Sequence, residues 1–362
     1  MKAALVFAGP TAATATFRPY RSRAFIGALA DAGIDVVLID LDLETEQRFA
    51  TVPAERPGLV SYRNHVDRLP LILAQERLAL VQTFGATAEL GPVWRHAART
   101  RTPLVHFVSS EGGIVDRPAG GARLLTGLGR GDRGFMQWRT RHASRHVAGV
   151  LGSNRADMGR HFRNGFFPRS RFSIVAPPAS ARPPAAVSPA VVERRKIPVF
   201  GFYDPEATPE TLELLLRAVA LTGQSDLFTL RIAPRALAGV VSLPSAVSAV
   251  EAADADAFLR EVDVLVVPRA DDRAVVPVLA ALSARKSVIV PDTGALTEIV
   301  DYGRRGLLYT AGSAYHLAIA INVMAQAWGN RPFSFEGVEE AIGRTTPEAL
   351  ARVFAATWRR LA

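Results

Sequence analysis

The stretch from Pro268 to Tyr309, PRADDRAVVPVLAALSARKSVIVPDTGALTEIVDYGRRGLLY, decides the fold of this chain. It follows an apolar run, Val262 to Val267, that reads as a buried strand ending at Pro268. A helical segment is predicted from about Val276 to Ala284, then a second strand, Ser287 to Val290, closed by Pro291-Asp292. A glycine turn, Thr293-Gly294-Ala295, leads into Leu296–Val300, and Asp301-Tyr302-Gly303 with Gly306 supplies a further turn. Strand, helix and strand in that order read as one piece of a parallel α/β sheet.

The same alternation runs outward through both halves. Ala3–Phe7, Val36–Ile39, Leu78–Val81, Leu104–Val108, Val150–Leu151 and Phe172–Val175 read as strands in the first half, with helices such as Arg23–Ala32 and Leu90–Thr100 between them. Pro198–Phe202, Leu227–Ile232, Val262–Val267 and Ser287–Val290 are the strands of the second half. Between the halves, residues 176–196 are rich in Pro and Ala without apolar periodicity, so they read as a linker. The last helix begins at a predicted capping box, Thr345 with Glu348, and Pro347 falls in its first turn. Its apolar face is predicted to be Leu350, Val353, Phe354 and Leu361.

A chain of 362 residues is long enough for two domains, each burying its own core. Hydrophobic content of 49% and charged content of 21% describe a globular protein, and no apolar run reaches bilayer length. The apolar run in MKAALVFAGP is too short for the hydrophobic region of a signal peptide, and reads instead as a first strand. Without cysteine there is no disulfide framework and no thiolate chemistry, which fits a cytoplasmic location. The formal net charge of +9 is carried by arginine, and twelve arginines against two acids lie between Arg117 and Arg171. Such a face attracts the phosphates of anionic lipids at the inner membrane surface or of nucleic acid. No nucleic-acid reading module surrounds it, so nucleic acid is not expected as a partner. A solvated helix face is the plainer reading of several of these arginines.

Order, spacing and flanking hydrophobics over Pro268–Tyr309 resemble the donor-binding half of the retaining GT-B glycosyltransferases of group 1, which use nucleotide sugars. Residues 147–179 resemble that family's passage from a strand ending in serine, here Ser153, through a helix to a second strand. Residues 198–219 resemble its first donor-side strand, glycine and helix. The resemblance implies an α/β, GT-B fold of two Rossmann-like domains facing a central cleft. It implies an acceptor-side domain over 1–178, a linker over 179–196, a donor-side domain over 197–344, and a C-terminal helix over 345–362 that crosses back to the first domain. No metal and no other cofactor is expected.

The family's chemistry maps only in part. Gly201 matches its glycine, but the arginine that neutralises the leaving diphosphate falls on Phe202, and no Lys or Arg lies between Ile197 and Leu216. The acids Asp204, Glu206, Glu210 and Glu213 fall there instead, and they would repel a pyrophosphate. The glutamate that contacts the transferred sugar maps to Asp272, or else Asp271, and the ribose-binding glutamate maps to Ala280. Arg273-Ala274-Val275 replace the family's Gly-Phe-Gly, so side chains are expected in the space the ligand needs. Arg269 and Arg273 are the candidate replacement cations, with Arg231 and Arg235 earlier in the chain. Gly294 and Glu298 match the family's glycine turn and following glutamate, although a purely structural role fits them equally.

In the first half, Gly9 begins the loop after the first strand, and Arg18, with Arg21 and Arg23, either binds a phosphate at a helix start or is merely exposed. The family histidine falls on Ser109, and alternation points His106 to the opposite sheet face as a structural histidine. Glu111 is the candidate acid/base or acceptor-contacting group in the loop after Val108. No Gly-x-Gly-x-x-Gly fingerprint follows the first strand, and neither an H-E-x-x-H metal motif nor a Gly-x-Ser-x-Gly elbow is present. Two readings stay open. One is a divergent glycosyltransferase that takes a nucleotide-sugar donor and a lipid-linked or glycan acceptor. The other is a non-catalytic GT-B protein partnering an active glycosyltransferase, its cleft filled by side chains such as Phe202 and Tyr203.

Overall fold

A computed structural model describes residues 1–8, 17–42, 50–52, 60–65, 68–87, 90–108, 138–176, 196–204, 207–224, 226–233, 246–250, 254–330 and 333–362. The chain divides into two compact units. Unit 1 comprises Met1–Pro178 with Thr345–Ala362, and unit 2 comprises Ala179–Arg344.

Unit 1 is built on an eight-stranded sheet in the order β3-β4-β2-β1-β5-β6-β7-β8. Its strands are β1 (Lys2–Ala8), β2 (Asp35–Asp42), β3 (Ala50–Val52), β4 (Val60–His65), β5 (Leu80–Phe84), β6 (Leu104–Val108), β7 (Val147–Gly152) and β8 (Arg171–Ile174). Every pairing is parallel except β3 with β4. The central strands β1, β5 and β6 are buried on both faces, which is why β1 reads as a continuous apolar run, while β5 and β6 carry the polar Gln82, Thr83 and His106 within theirs. Helices α1 (Arg23–Asp31), α2 (Leu69–Glu76), α3 (Gly91–Ala98) and α4 (Arg155–Arg163) connect them, and residues 138–143 are also helical. Helix α4 shows how locally the start of a helix is written. The Asn154 side chain accepts a hydrogen bond from the Asp157 N–H at 2.8 Å and donates to the Asp157 carboxylate at 2.7 Å, an N-cap closed in both directions.

Unit 2 carries a six-stranded, wholly parallel sheet in the order β11-β10-β9-β12-β13-β14. These strands are β9 (Val199–Phe202), β10 (Thr229–Ile232), β11 (Val247–Ala249), β12 (Val264–Val266), β13 (Ser287–Pro291) and β14 (Gly306–Tyr309). The helices are α5 (Pro209–Thr222), α6 (Ala255–Glu261), α7 (Val275–Ser283), α8 (Gly294–Ile299), α9 (Ala314–Gln326) and α10 (Val338–Gly343). The order is that of a doubly wound sheet, reversing between β9 and β12. In such sheets the carboxyl ends of the two strands flanking the reversal form the usual ligand crevice.

Helix α11 (Pro347–Arg359) belongs to unit 1. It joins the aromatic core there: Phe354 packs at 5.6 Å from Tyr20 and 5.3 Å from Phe25, and the Trp358 indole N–H donates to the buried Gln82 side chain at 3.1 Å. Two expectations are corrected in this helix. Its cap is Thr346, which accepts from the Ala349 N–H, because Pro347 takes the first helical position and fixes the cap one residue earlier. Thr345 is buried instead. Val353 is exposed, and Ala351, Ala355 and Trp358 complete the buried face with Leu350 and Phe354.

Candidate functional site

The crevice of unit 2 is bounded by the residues that follow β9 and β12. Asp204 leaves the first of these strands and Arg269 the second. The Arg269 guanidinium donates from Nε to the Asp204 carboxylate at 2.8 Å and from Nη1 to Asp271 at 3.1 Å. Asp271 also accepts from Arg273 Nη2 at 2.6 Å, from its Nε at 3.1 Å, and from its backbone N–H at 3.1 Å. The Arg269 side chain is only 6% exposed, against 13% for Asp204 and 34% for Arg273. Two cations and two anions thus form one chain of ion pairs across the strand-order reversal. The exit of β12 is held by the Tyr309 hydroxyl, which donates to the carbonyls of Val267 and Pro268.

The predicted replacement cations, Arg269 and Arg273, are therefore brought together, but on carboxylates of the same unit. Asp204 was expected to repel a pyrophosphate; its charge is instead compensated by Arg269. The helix after β9 keeps a carboxylate at its start. Thr208 caps α5 by accepting from the Thr211 N–H, and hydrogen bonds from the Glu210 backbone N–H and the Thr208 hydroxyl hold the Glu210 carboxyl below its usual pKa. That charge suits the positive end of the helix and competes with any other anion there.

Other positions resolve as packing. Phe202 is buried in the apolar core beside Leu212 and Leu215, so it fills no cleft. Tyr203 lies against Phe258, ring centroids 5.3 Å apart. Ala274, Val275 and Ala280 turn into the core of unit 2, contrary to the expectation that the first two crowd a ligand. The apolar pattern of α7 draws them inward and leaves Arg273 at the surface. Gly201 has a steric cause: a Cβ there would lie 2.6 Å from Val262 Cγ1 and 2.8 Å from Phe258 Cε1. Gly294 opens the short helix α8, and Glu298 is half-buried on it. Arg231 is bound to the Glu261 side chain and carbonyl.

Gly9, Ser109, Glu111 and Arg235, and the side chains of Arg18 and Asp272, lie outside the described residues. Arg21 pairs with Asp40 and lies over the Phe7 ring at 4.8 Å. His106 lies inside unit 1, on the sheet face that alternation assigns it. Its Nδ1 meets the Thr83 hydroxyl at 3.1 Å and its Nε2 the Thr87 hydroxyl at 3.2 Å. The Thr87 hydroxyl also meets His161 Nε2 at 2.9 Å, and His161 Nδ1 faces the Asp157 carbonyl at 2.8 Å. Burial pushes both histidines down, His161 to about 4 and His106 well below the ordinary value, so both are neutral at pH 7. No local sequence pattern marks this network, whose members Thr87, His106 and His161 come from three separate segments.

No protein-family model matches the chain, and no curated protein matches it in sequence. Solved structures do match. Sucrose-phosphate synthase from Thermosynechococcus elongatus is 16% identical with a TM-score of 0.66, over 99% of this chain and 98% of that one. Anabaena HepE, solved in complex with UDP, is 13% identical with a TM-score of 0.67, over 100% of both chains. The lipopolysaccharide outer core galactosyltransferase WaaB is 12% identical with a TM-score of 0.65, over 99% of both. Two parallel α/β units in one chain, matching these structures from end to end, make this a protein of the GT-B fold.

Proposed function

We propose that this chain is a glycosyltransferase-type GT-B protein of cell-surface glycan or glycolipid assembly in which conventional nucleotide-sugar transfer is impaired or altered. The fold and the UDP complex of HepE support a nucleotide-diphosphate sugar as the donor class. The observation that carries the rest is the ion-pair chain Asp204–Arg269–Asp271–Arg273. A diphosphate entering this crevice gains attraction to Arg269 only by displacing carboxylates already bound to it, so most of the Coulomb gain is offset. In this reading Arg273, the more exposed cation, meets the donor, while Asp272 contacts the transferred sugar. Gly294 and Glu298 line the donor side, and Gly9, Arg18, Ser109 and Glu111 face a lipid-linked or glycan acceptor.

A second reading, a non-catalytic subunit that partners an active glycosyltransferase, is favoured by Ala280 in the core and by the Glu210 carboxylate at the start of α5.

Thermal unfolding of the purified chain with millimolar UDP, GDP, ADP, TDP and their sugar conjugates tests both. Ligand at a hundred times its Kd stabilises by about 2.7 kcal/mol, which moves the midpoint by several degrees. A shift with one nucleotide that is abolished in Arg273→Ala indicates altered donor use. A flat panel selects the non-catalytic reading. Micromolar binding and turnover that are indifferent to Arg269→Ala and Arg273→Ala overturn the proposal.

A further inference from the structure

Unit 1 carries a second surface of distinct chemistry, around the amino end of β7 and along the edge strand β8. Four contacts draw three chain segments into this one corner. The Arg141 guanidinium lies 5.7 Å from the Phe166 ring, and the Phe167 N–H donates to Ser144 at 3.0 Å. The Ser170 hydroxyl donates to the Val147 carbonyl at 2.6 Å, and the Phe162 and Phe172 rings meet at 4.0 Å. Arg139, Arg141, Arg145, Arg163, Arg169 and Arg171 are all exposed on these segments. The only acid from residue 138 to residue 176 is Asp157, which is buried. Arg95 and Arg99 of the neighbouring α3 segment add to the crowding: after burial, the charges of Arg139 and Arg99 are what lower the pKa of Arg95.

Among these cations stand apolar side chains that the unit does not cover. Trp138 is 58% exposed, Phe172 49% and Ile174 41%; the last two project from one face of the edge strand β8. Helix dipoles account for a cation or two in the last turns of α3 and α4. They account neither for the arginines of 138–146 and 169–171 nor for the exposed Trp, Phe and Ile. Phosphates facing guanidinium groups, with hydrocarbon just behind them, answer both halves of the pattern, and Trp prefers that boundary. Nucleic acid answers only the charge and stacking, and offers nothing to Ile174.

We propose that this corner docks the protein peripherally on an anionic lipid bilayer, its arginines on headgroup phosphates and Trp138, Phe172 and Ile174 at the headgroup–acyl boundary. No helix among the described residues is long and apolar enough to cross a membrane. The proposal stands apart from donor chemistry and holds whether or not unit 2 binds a nucleotide.

The test is sedimentation of the full chain with vesicles of phosphatidylcholine alone or with about 30 mol% phosphatidylglycerol, at low and high salt. Binding is expected on the anionic vesicles only and weakens severalfold at high salt. Arg145→Ala with Arg163→Ala lowers the partition coefficient about thirtyfold, at roughly 1 kcal/mol per cation near the surface. Trp138→Ala weakens anionic binding at low salt while the melting midpoint stays put, and Phe172→Ser weakens it as well, with some loss of stability from the broken Phe162 contact. Equal binding to neutral vesicles, no binding to either, or anionic binding that these variants leave unchanged would overturn the proposal. So would displacement of the vesicles by RNA or duplex DNA at equal phosphate concentration, which would reassign the face to nucleic acid.

Discussion

The two units are built on the same kind of parallel sheet, yet they bury polarity by opposite means. Unit 1 keeps uncharged polar groups deep inside an aromatic interior. Its Gln82, Thr83, Thr87 and His106 side chains are essentially inaccessible, His161 is 2% exposed, and they bond to one another or to Trp94 and Trp358. Unit 2 has a mainly aliphatic interior and places charged groups, Arg269 and Asp204, at the ends of its two central strands. A neutral network costs little desolvation but is lost when a proton arrives. A charged one depends on every partner being present, because removing one leaves its counter-ion buried and unpaired. Each unit therefore has its own point of failure.

The largest effect expected from breaking that contrast is in unit 1. Trp358→Ala removes a fully buried ring and strips Gln82 of its donor, which costs about 4 kcal/mol in denaturant titrations. Hydrogen exchange should rise in β1, β5 and β6 and hardly in unit 2; an equal rise in both sheets would contradict the division into units. Next comes Arg269→Ala, expected to cost about 3 kcal/mol because it leaves Asp204 and Asp271 short of a cation. Arg269→Met combined with Asp204→Leu should recover most of that loss. A neutral single substitution would show that the arginine is not structural and is available to a ligand.

The smallest effect is set by pH. Because the folded His161 titrates near 4 rather than near 6.5, the unfolded chain takes up protons first as pH falls. The His161 contribution is thus complete above about pH 7 and is lost progressively toward pH 4, with about 2 kcal/mol gone by pH 5, and the buried His106 adds a loss of the same sign. His161→Gln should flatten that slope. Unit 2 has a single histidine, His316, on its surface, so its own unfolding should not share this acid step.

Much of this was legible in the chain. Strand β6 runs from Leu104 to Val108 as its apolar run predicts, and the strand–helix alternation gives both sheets. The strands without a sequence signature are short or polar: Ala50–Val52, VSYRNH over Val60–His65, Val247–Ala249 and Gly306–Tyr309. Their pairing comes from neighbouring strands, and no local pattern records it. The site was half legible for a similar reason. Arg269 and Arg273 were identifiable as cations beside a strand end, but the Arg269–Asp204 bond joins residues 65 apart in sequence. Only the strand order, which puts β9 beside β12, brings them together. Gly201 stands out in the sequence only by resemblance to a glycine of the group 1 pattern, whereas its steric cause, the close approach of Val262 and Phe258, appears only in three dimensions.

The membership of α11 in unit 1 has a consequence for synthesis. In sequence, unit 2 is an insertion between the body of unit 1 and its final helix. While the ribosome makes that insertion, roughly ten to thirty seconds at ordinary elongation rates, Tyr20, Phe25 and Gln82 have no Phe354 or Trp358 to cover them. The first-made part of the chain is therefore the last to finish folding, and the exposed aromatic face in that interval is a natural target for a chaperone.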